Sequence, residues 1–416
     1  MKVGAILVAS ILLVEEIILK KTQAKNILKK FIRRNKYIGS KDRKLLYDIT
    51  FNMLKKYFGL LSICKIYNIN CSVRNLALFN FCNKFKHHNL EDLYQGKYSL
   101  KKKDEDSYIF TKAISFRGEI KPKLPGWLEK KILINEETEN LFFYNSILEE
   151  PRFDIAINTM KYSRDDVIAK LKKHNIICSC TKNSTVGITV NNRIPNNNLV
   201  KIKSDMFEVQ DEGSQLMTLL IEIKTNMKIL DMCAGKGTKT ILMSNLLKGE
   251  GTITAHDKIK ERLGVLKSRV KELKLKNINF DFDMKNHDQF DIVLCDVPCS
   301  GIGTWRRRPE NIIWLKNEEL EKLKLVQNNI LLNAAKLCKI GGKIVYITCS
   351  LLYDENEFQI KSFLKNFKKF DVINFREDTK KYIKKKIFKY NKYGLTLTPD
   401  VLNTDGYFIS ILKKTE

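Results

Sequence analysis

The chain has 416 residues, of which 44% are hydrophobic and 29% are charged. This balance, with a mean hydropathy of −0.28, excludes an integral membrane protein, a collagen-like chain and a wholly disordered chain. The formal net charge of +28 indicates an anionic partner and favours nucleic acid. Lys, Asn and Ile are all abundant, however, and a coding bias toward A and T would raise all three, so charge alone leaves the partner open.

The ten cysteines are irregularly spaced, and no Cys-x-x-Cys pair occurs. This pattern disfavours a zinc ribbon or a disulfide framework, so we expect reduced thiols, no metal and a cytoplasmic location. The apolar run at residues 3–14 is too short to span a bilayer. It lacks a clear signal cleavage site, and it predicts a buried first helix with no membrane partner.

Residues 1–125 are predicted to form a helical domain. Apolar residues recur three and four positions apart in residues 27–32 and 45–54, which is typical of amphipathic helices, and Ser40 is a candidate N-cap. This segment carries 26 Lys and Arg against 10 Asp and Glu, over half of the excess charge of the chain. The asymmetry predicts a nucleic-acid-binding module, with a solvated helical surface as the alternative.

Residues 126–205 are predicted to form a small α+β subdomain. Strands are predicted at 153–158, 176–180 and 187–190, a helix between Ser163 and Lys173, and a turn-rich exit at 195–198. From 206 to 416, strands, glycine turns and helices alternate, which predicts a doubly wound, mostly parallel α/β sheet. The predicted strands of this sheet are 227–232, 252–255, 278–282, 290–294 and 343–348, and the predicted helices are 239–247, 259–273 and 318–338.

A glycine loop after the first of these strands predicts a cofactor site. Its residues are Cys233, Ala234, Gly235, Lys236, Gly237, Thr238 and Lys239. The glycines allow backbone N–H groups to approach a ligand at a helix N-terminus, although the spacing is not that of a P-loop. Asp257, at the end of the next strand, can accept hydrogen bonds from a ribose diol. The pair indicates an adenosine cofactor, and a dinucleotide or S-adenosylmethionine fits equally at this point.

Two cysteines follow further strand ends of the same sheet. One lies in the run Asp296-Val297-Pro298-Cys299-Ser300, and the other lies in Tyr346-Ile347-Thr348-Cys349-Ser350. In an open α/β sheet, ligands bind beyond the carboxyl ends of the strands. The two thiols can therefore face a common crevice.

With these motifs the chain resembles the RNA cytosine-C5 methyltransferases, most closely the bacterial branch that acts on 16S ribosomal RNA. Residues 35–60 are similar to the helical domain of that branch, which is related to the antitermination factor NusB. Residues 125–128, 158–160 and 210–212 resemble the regions that precede and open its catalytic domain. The resemblance implies a Rossmann-like S-adenosylmethionine-dependent methyltransferase domain, with an N-terminal all-α NusB-like domain and a small α+β insert between them.

The same resemblance implies roles for individual residues. Cys349 is expected to be the nucleophile that adds to cytosine C6, and Cys299 is expected to assist breakdown of the adduct. Asp296 is the candidate for donating a hydrogen bond to N3 and also for a cofactor contact. A third-strand carboxylate, either Asp281 or Asp283, is a further candidate cofactor contact.

One departure from the family concerns the glycine loop, where Thr238 replaces a second glycine. A β-branched residue resists positive φ, so we expect the loop to be reshaped at Thr238. Three consecutive arginines are interpreted as phosphate contacts, with a structural ion pair as the alternative for each. They are Arg306, Arg307 and Arg308.

Alternative functions differ in substrate or in chemistry. A DNA cytosine methyltransferase would use Cys299 and carry a Glu-Asn-Val motif, whereas this chain has Glu355-Asn356-Glu357, which disfavours DNA. The NusB-like domain favours 16S rRNA as the substrate, and transfer RNA is the alternative. A non-catalytic RNA-binding or ribosome-assembly factor would keep the fold, but the presence of both cysteines, Asp257 and the glycine loop argues against it.

Overall fold

The computed structural model describes residues 1–133, 146, 149–191, 205–282, 289–374, 376–382 and 389–416. Contacts between residues divide the chain into two compact units. The first comprises Met1–Glu149 and Trp305–Asn317, and the second comprises Glu150–Thr304 and Glu318–Glu416. Among the described helices, none combines the length and the apolar character needed to cross a membrane.

The first unit is helical, and its longest helices, α1, α3 and α4, pack on one another. Helix α1 buries Leu7 and Val14 completely, so the predicted buried first helix is confirmed and extends to Lys20. The predicted N-cap at Ser40 is wrong by one position, because Gly39 has the extended backbone of the cap and Ser40 is already helical. The N-terminal helices are α1 (Val3–Lys20), α2 (Ala24–Arg34), α3 (Ser40–Ile66), α4 (Val73–Lys84), α5 (Asp106–Ser115) and α6 (Gly126–Leu133).

The second unit opens with a small α+β layer. Its sheet is antiparallel, in the order β2-β3-β1-β4. Ser163 and Asp166 form a capping box at the start of its helix, in which each side chain accepts from the backbone N–H of the other residue. The predicted turn at 195–198 lies outside the described residues. The elements are β1 (Phe153–Ile157), α7 (Arg164–Lys173), β2 (Cys178–Cys180), β3 (Gly187–Val190) and β4 (Phe207–Val209).

The large sheet has nine strands in the order β11-β12-β13-β9-β8-β5-β6-β7, with β10 paired to β13. Strands β5 to β9 are parallel, and β13 runs antiparallel to β9. The predicted doubly wound, mostly parallel sheet is therefore confirmed, although the C-terminal strands β10 to β13 had no counterpart in the prediction. The strands are β5 (Lys228–Asp231), β6 (Thr252–Ala255), β7 (Ile278–Phe280), β8 (Phe290–Asp296), β9 (Cys338–Thr348), β10 (Phe370–Val372), β11 (Lys389–Asn391), β12 (Gly394–Leu397) and β13 (Tyr407–Lys414).

Helices cover both faces of this sheet, which is why the four successive residues 292–295 of β8 are all buried. Val293 faces one hydrophobic core and Leu294 faces the other, as expected for a parallel sheet between helical layers. The strand order reverses between β5 and β8, so the ligand crevice is expected at the carboxyl ends of these strands. The helices are α8 (Glu212–Leu219), α9 (Thr238–Leu246), α10 (Lys260–Leu273), α11 (Glu310–Trp314), α12 (Asn317–Leu337), α13 (Glu357–Asn366), α14 (Arg376–Tyr382) and α15 (Pro399–Leu402).

Helix α11 belongs to the helical unit although it lies between β8 and β9 in the sequence. Trp314 donates its indole N–H to the carbonyl of Ile17 at 3.2 Å. Glu310 accepts from the backbone N–H of Ala24, also at 3.2 Å. The core of the helical unit is thus completed by a segment far away in the sequence.

Candidate active site

The glycine loop connects β5 to α9, and two glycines give it its shape. Gly235 has φ +56° and Gly237 has φ +88°, the left-handed region that favours glycine. A Cβ on Gly237 would lie 2.0 Å from Leu266 Cδ1, so the loop is packed tightly against α10. Thr238 is the first residue of α9 and does not have a positive φ. The expectation that Thr238 would reshape the loop is therefore wrong, because the two glycines make the turn before it.

Asp257 is buried beside this loop. Its Oδ2 accepts from the backbone N–H of Gly235 at 2.9 Å, and its Oδ1 accepts from the N–H of Ile259 at 2.8 Å. A carboxylate oxygen can accept more than one hydrogen bond, so both atoms can also accept from a ligand. Asp257 therefore fixes the loop and presents acceptors at the end of β6.

Asp231, the last residue of β5, was not among the predicted site residues. It is 1% exposed, and its Oδ2 accepts from the Thr240 hydroxyl at 2.8 Å. Its Oδ1 has no hydrogen-bond partner among the described groups. Burial raises the pKa of Asp231 to about 7. A carboxylate directly after the buried apolar residues Ile229 and Leu230 was the available sequence signal.

The remaining loop residues occupy different environments. The backbone N–H of Ala234 donates to the carbonyl of His256 at 2.8 Å, which ties the loop to the end of β6. Lys236 is exposed. Burial, followed by neighbouring acidic groups, raises the pKa of the Cys233 thiol well above its usual range. Cys233 is therefore a neutral lining group.

Of the two third-strand candidates, Asp283 lies outside the described residues. Asp281 follows the end of β7, and its backbone N–H donates to Ala255 at 3.1 Å. Its carbonyl lies 2.8 Å from Nδ1 of His256. The structure thus places Asp281 beside the β6 end, next to the Asp257 loop.

These groups have the chemistry that S-adenosylmethionine requires. The first N–H groups of α9 lack intrahelical partners and favour an anionic group such as the cofactor's carboxylate. The Asp257 oxygens have the chemistry to accept from ribose hydroxyls, and Asp231 has an unsatisfied buried oxygen. The residues present therefore fit this cofactor.

Lys239 links the cofactor loop to the cysteine side of the crevice. Its buried Nζ donates to Asp296 Oδ2 at 2.7 Å, at the end of β8. Burial on its own would lower the pKa of Lys239, but the Asp296 carboxylate outweighs it and the pKa is raised. Lys239 and Asp296 thus form an ion pair between the two sides of the crevice.

The two cysteines meet beyond the ends of adjacent parallel strands. Asp296 of β8 pairs with Ile347 of β9, and the Sγ atoms of Cys299 and Cys349 lie 3.4 Å apart. The contact with Cys349, then burial and the nearby charge of Glu355, raise the pKa of Cys299 well above the usual thiol range. Cys299 is therefore held as a thiol against the sulfur of Cys349.

Backbone contacts fix both cysteine loops. The N–H of Gly303 donates to the carbonyl of Cys349 at 2.9 Å, and the N–H of Gly406 donates to the carbonyl of Gly303 at 2.8 Å. A Cβ on Gly303 would lie 2.2 Å from the Gly406 oxygen. The approach is therefore too close for any side chain.

Asn356 holds the turn that carries Cys349, a role that the sequence did not reveal. Thr348 Oγ1 donates to Asn356 Oδ1 at 2.6 Å, and Asn356 Nδ2 donates to the carbonyl of Ser350 at 3.0 Å. Both neighbours of Cys349 are thus tied to one side chain.

The three consecutive arginines, which belong to the helical unit from Trp305 onward, do not share an environment. Arg306 is 3% exposed, whereas Arg308 is exposed. The interpretation of Arg306 as a surface phosphate contact is therefore wrong, because its guanidinium is buried.

The strand order, the glycine loop followed by Asp257, and the paired thiols define a Rossmann-like methyltransferase. Residues 218–413 match the family model described as 16S rRNA methyltransferase RsmB/F. The chain is 31% identical over 302 residues to ribosomal RNA small subunit methyltransferase B of Shewanella oneidensis, covering 70% of this chain and 67% of that protein. The chain belongs to the RsmB/F family of 16S rRNA methyltransferases, which confirms the predicted family.

Two further comparisons show the extent of the similarity. The chain is 31% identical over 214 residues to the probable methyltransferase B of Bacillus subtilis, covering 50% of this chain and 47% of that protein. The chain thus spans about half to two thirds of the length of these curated relatives. The crystal structure of PH0851 matches with a TM-score of 0.76 and 19% identity over the full length of both chains, which confirms the predicted fold.

Proposed function

We propose that the protein uses S-adenosylmethionine to form 5-methylcytosine in RNA. The observation that carries this proposal is the 3.4 Å contact between the Sγ atoms of Cys299 and Cys349 beside a crevice that fits the cofactor. Cytosine C5 is a poor nucleophile and needs covalent activation at C6. Two thiols in contact provide one group to add at C6 and a second to complete the reaction.

Cys349 is the proposed nucleophile. Its thiolate adds to C6, and the electron pair of the C5–C6 double bond moves to C5, which becomes nucleophilic. When bound, S-adenosylmethionine supplies an electrophilic methyl sulfonium. Cys349 is favoured over Cys299 because Thr348-Cys349-Ser350 is the context that carries the nucleophile in the RNA family. The Cys299 thiol, in contact with the Cys349 sulfur, can donate its S–H and stabilise the thiolate.

Cys299 is the proposed base for the second half of the reaction. Once Cys349 is a thioether, it no longer stabilises the proton on Cys299, which was the largest cause of the raised pKa. Cys299 can then release that proton to solvent, and the resulting thiolate removes the proton from C5. The C5–C6 double bond re-forms, the C6–S bond breaks, and Cys349 leaves as a thiolate.

Lys239 and Asp296 are the proposed contacts for the cytosine ring. The sequence suggested that Asp296 donates a hydrogen bond to N3, but its ion pair with Lys239 favours the ionised, acceptor-only carboxylate. Asp296 would therefore accept from the exocyclic amine, and the Lys239 ammonium would provide the donor. The target base has to leave its stack to reach these groups.

The proposed substrate is 16S rRNA in the cytoplasm, with transfer RNA as the alternative. This proposal is supported by the names of the relatives, which are small-subunit rRNA methyltransferases. The retained thiol pair and the cofactor site favour an enzyme over a non-catalytic assembly factor of the same fold.

Helix α2 is the proposed RNA contact of the helical unit. It contains no acidic residue, and four of its basic residues are exposed and form no ion pair with a described residue. These residues, which we name the α2 basic surface, are Lys29, Lys30, Arg33 and Arg34. Tyr37, just after the helix, is 72% exposed and can stack on an unpaired base.

The test of the activity is bisulfite sequencing of total RNA from cells with and without the gene. One cytosine in 16S rRNA that loses its methyl group in the deletion is the expected result. Loss at a transfer RNA position would transfer the proposal to the alternative substrate. If methylation is unchanged in the deletion and the purified protein transfers no methyl group to ribosomal RNA or small subunits, the proposed activity fails. The remaining interpretation is then a non-catalytic assembly factor.

The RNA surface is tested by changing all four residues of the α2 basic surface to Gln. We expect weaker binding to single-stranded rRNA fragments and a salt dependence that is shallower by about 0.7 per lost phosphate contact. The matched control changes four exposed lysines of the second unit to Gln. They are Lys361, Lys365, Lys368 and Lys369. Equal losses in both variants would show that only net charge matters.

A further inference from the structure

Glu355 is a completely buried carboxylate to which the proposed reaction assigns no role. It ends the short 3-10 turn Tyr353–Glu355, five residues after Ser350. An acidic side chain is rarely this buried without several partners. Its contacts therefore indicate why it is there.

Both oxygens of Glu355 accept hydrogen bonds from the loops that carry the cysteines. Oε1 accepts from the backbone N–H of Ser300 at 2.9 Å, and Oε2 accepts from the Ser300 hydroxyl. Oε2 also accepts from the Ser350 hydroxyl at 2.5 Å. Ser300 directly follows Cys299, and Ser350 directly follows Cys349, so one carboxylate connects the two reactive positions.

A third element, α12, contributes to this arrangement. Gln327 donates to Glu355 Oε1 at 3.0 Å and to the carbonyl of Pro298, also at 3.0 Å. Four donors thus converge on one carboxylate. An ionised carboxylate only accepts hydrogen bonds, so it satisfies all four donors. Hydrogen bonds to a charged group are also stronger than those between neutral groups.

We propose that Glu355 is a positioning residue that keeps the Cys299 and Cys349 sulfurs in contact, and that its charge sets the pH range in which Cys299 releases the product. This inference rests on the proposed function, because it assigns Glu355 to the same two-cysteine reaction. Glu355 does not touch the substrate in this proposal. It acts through the two serines and through its electric field at Cys299.

The charge effect has a defined sign. The titratable groups facing Cys299 are Cys349, Glu355 and Tyr346, and Lys239 faces Cys349. The negative charge of Glu355 contributes to raising the pKa of Cys299. Removing that charge lowers the pKa, so the pH midpoint of product release should move to lower pH.

Two substitutions separate the positioning effect from the charge effect. Glu355→Gln keeps an oxygen for the Ser300 N–H and Gln327, and its amide can donate to the serine hydroxyls. It should retain the first-turnover rate while shifting the release midpoint to lower pH. Glu355→Ala removes all four links, and a displacement of the sulfurs by about 1 Å should slow the first turnover about 100-fold. Glu357→Gln, in the same motif, is the matched control and should resemble wild type in both measurements.

The distance between the sulfurs is measured independently of catalysis with an azo-type thiol oxidant. Two thiols become one disulfide, while the azo group takes up two electrons and two protons and becomes a hydrazine. Wild type and Glu355→Gln should form the Cys299–Cys349 disulfide rapidly, and Glu355→Ala should form it slowly. Cys299→Ala reports the background from the other cysteines.

The outcomes distinguish the inference from the proposed function. If wild type makes no 5-methylcytosine, the proposed function fails, and the disulfide rates still test the positioning. If wild type methylates RNA but Glu355→Gln has an unchanged release midpoint, the charge effect is overturned. Equal disulfide rates in wild type and folded Glu355→Ala overturn the positioning. Cofactor affinity and the temperature of half-unfolding show whether each variant is folded. If Glu355→Ala is unfolded, the pH midpoint of product release in Glu355→Gln decides whether the inference stands.

Discussion

The two sides of the crevice are built by different means. On the cofactor side, the glycine loop is shaped by two left-handed glycines, and Asp257 binds backbone N–H groups. On the cysteine side, the loops are joined largely by side chains, in particular Glu355 and Asn356. The first side therefore depends on a few backbone positions, and the second depends on a network in which each side chain supports another.

This difference predicts where substitutions will be tolerated. Loop side chains on the cofactor side that point to solvent, such as that of Lys236, can change at little cost. On the cysteine side, loss of one partner leaves buried groups without hydrogen bonds, which costs about 1–3 kcal/mol for each group. Substitutions on the two sides of the crevice test that contrast.

The largest effect is expected at the cysteines themselves. Cys349→Ala cannot add to C6, so methyl transfer and covalent protein–RNA complexes should both be absent. Cys299→Ala can form the adduct and transfer the methyl group, but should resolve it slowly. Mixed with S-adenosylmethionine and substrate RNA, it should accumulate a species that survives denaturing electrophoresis.

The reverse outcome is equally clear. A trapped complex with Cys349→Ala and none with Cys299→Ala would make Cys299 the nucleophile, as in the DNA enzymes. Normal turnover by Cys299→Ala would show that this thiol only packs against its neighbour. In either case the cofactor side should bind S-adenosylmethionine as wild type does, which is the control.

The parts of the fold that the sequence predicted are those encoded in local patterns. The alternation of apolar strands and glycine turns predicted β5 to β9, and the bounds of β6 matched at both ends. Strands β10 to β13 were not predicted, because β10 to β12 have only three or four residues each and the eight-residue β13 lies beyond the alternation of strands and helices. The assignment of Trp314 to the helical core depends on contacts with residues nearly 300 positions away, which no local pattern encodes.

The candidate site shows the same division. Asp257 and the two cysteines follow strand ends and were predicted from their position in the sequence, and the structure brings the two sulfurs together. Glu355 was read only as part of a motif, because its partners come from three separate segments. Asp231 was missed because the end of a buried strand usually carries an apolar side chain.

The next largest effect is expected at Asp257, the side chain on which the cofactor side depends. Asp257→Ala removes an acceptor for ribose hydroxyls and two links to backbone N–H groups. Hydrogen bonds to a charged group contribute about 1.5–3 kcal/mol, so S-adenosylmethionine should bind at least tenfold more weakly by calorimetry. Lys271→Ala, on the exposed face of α10, is the matched control and should bind normally. Equal affinities for wild type and Asp257→Ala would refute the assignment.

A smaller effect is expected at Gly303, where the cysteine side does depend on the backbone. Gly303→Ala places a Cβ 2.2 Å from the Gly406 oxygen, and relieving such overpacking costs about 1–3 kcal/mol. The thermal midpoint and methyl transfer should both fall, while cofactor affinity should change little. Gly264→Ala in α10, where a Cβ would meet nothing within 4 Å, should be neutral or slightly stabilising. If both variants behave alike, the contact between Gly303 and Gly406 is not important for the cysteine loops.

The smallest effect concerns Asp231, whose buried carboxyl makes the cofactor side sensitive to pH. Burial raises its pKa from 3.8 to about 7 in the folded protein. Between these two values the folded state holds a proton that the unfolded state has lost, so this group makes stability fall as pH rises through that window.

Asp231→Asn is uncharged at every pH and should remove this contribution. The thermal midpoint of the variant, relative to wild type, should therefore rise between pH 3.8 and about pH 7, by about 2–4 °C for each kcal/mol. The measurement is made without cofactor, and Asp371→Asn on the exposed face of β10 serves as the control. Parallel pH profiles for wild type and Asp231→Asn would show that the Asp231 carboxyl is ionised in the folded protein across this range, and that Thr240 and Lys239 compensate for its burial.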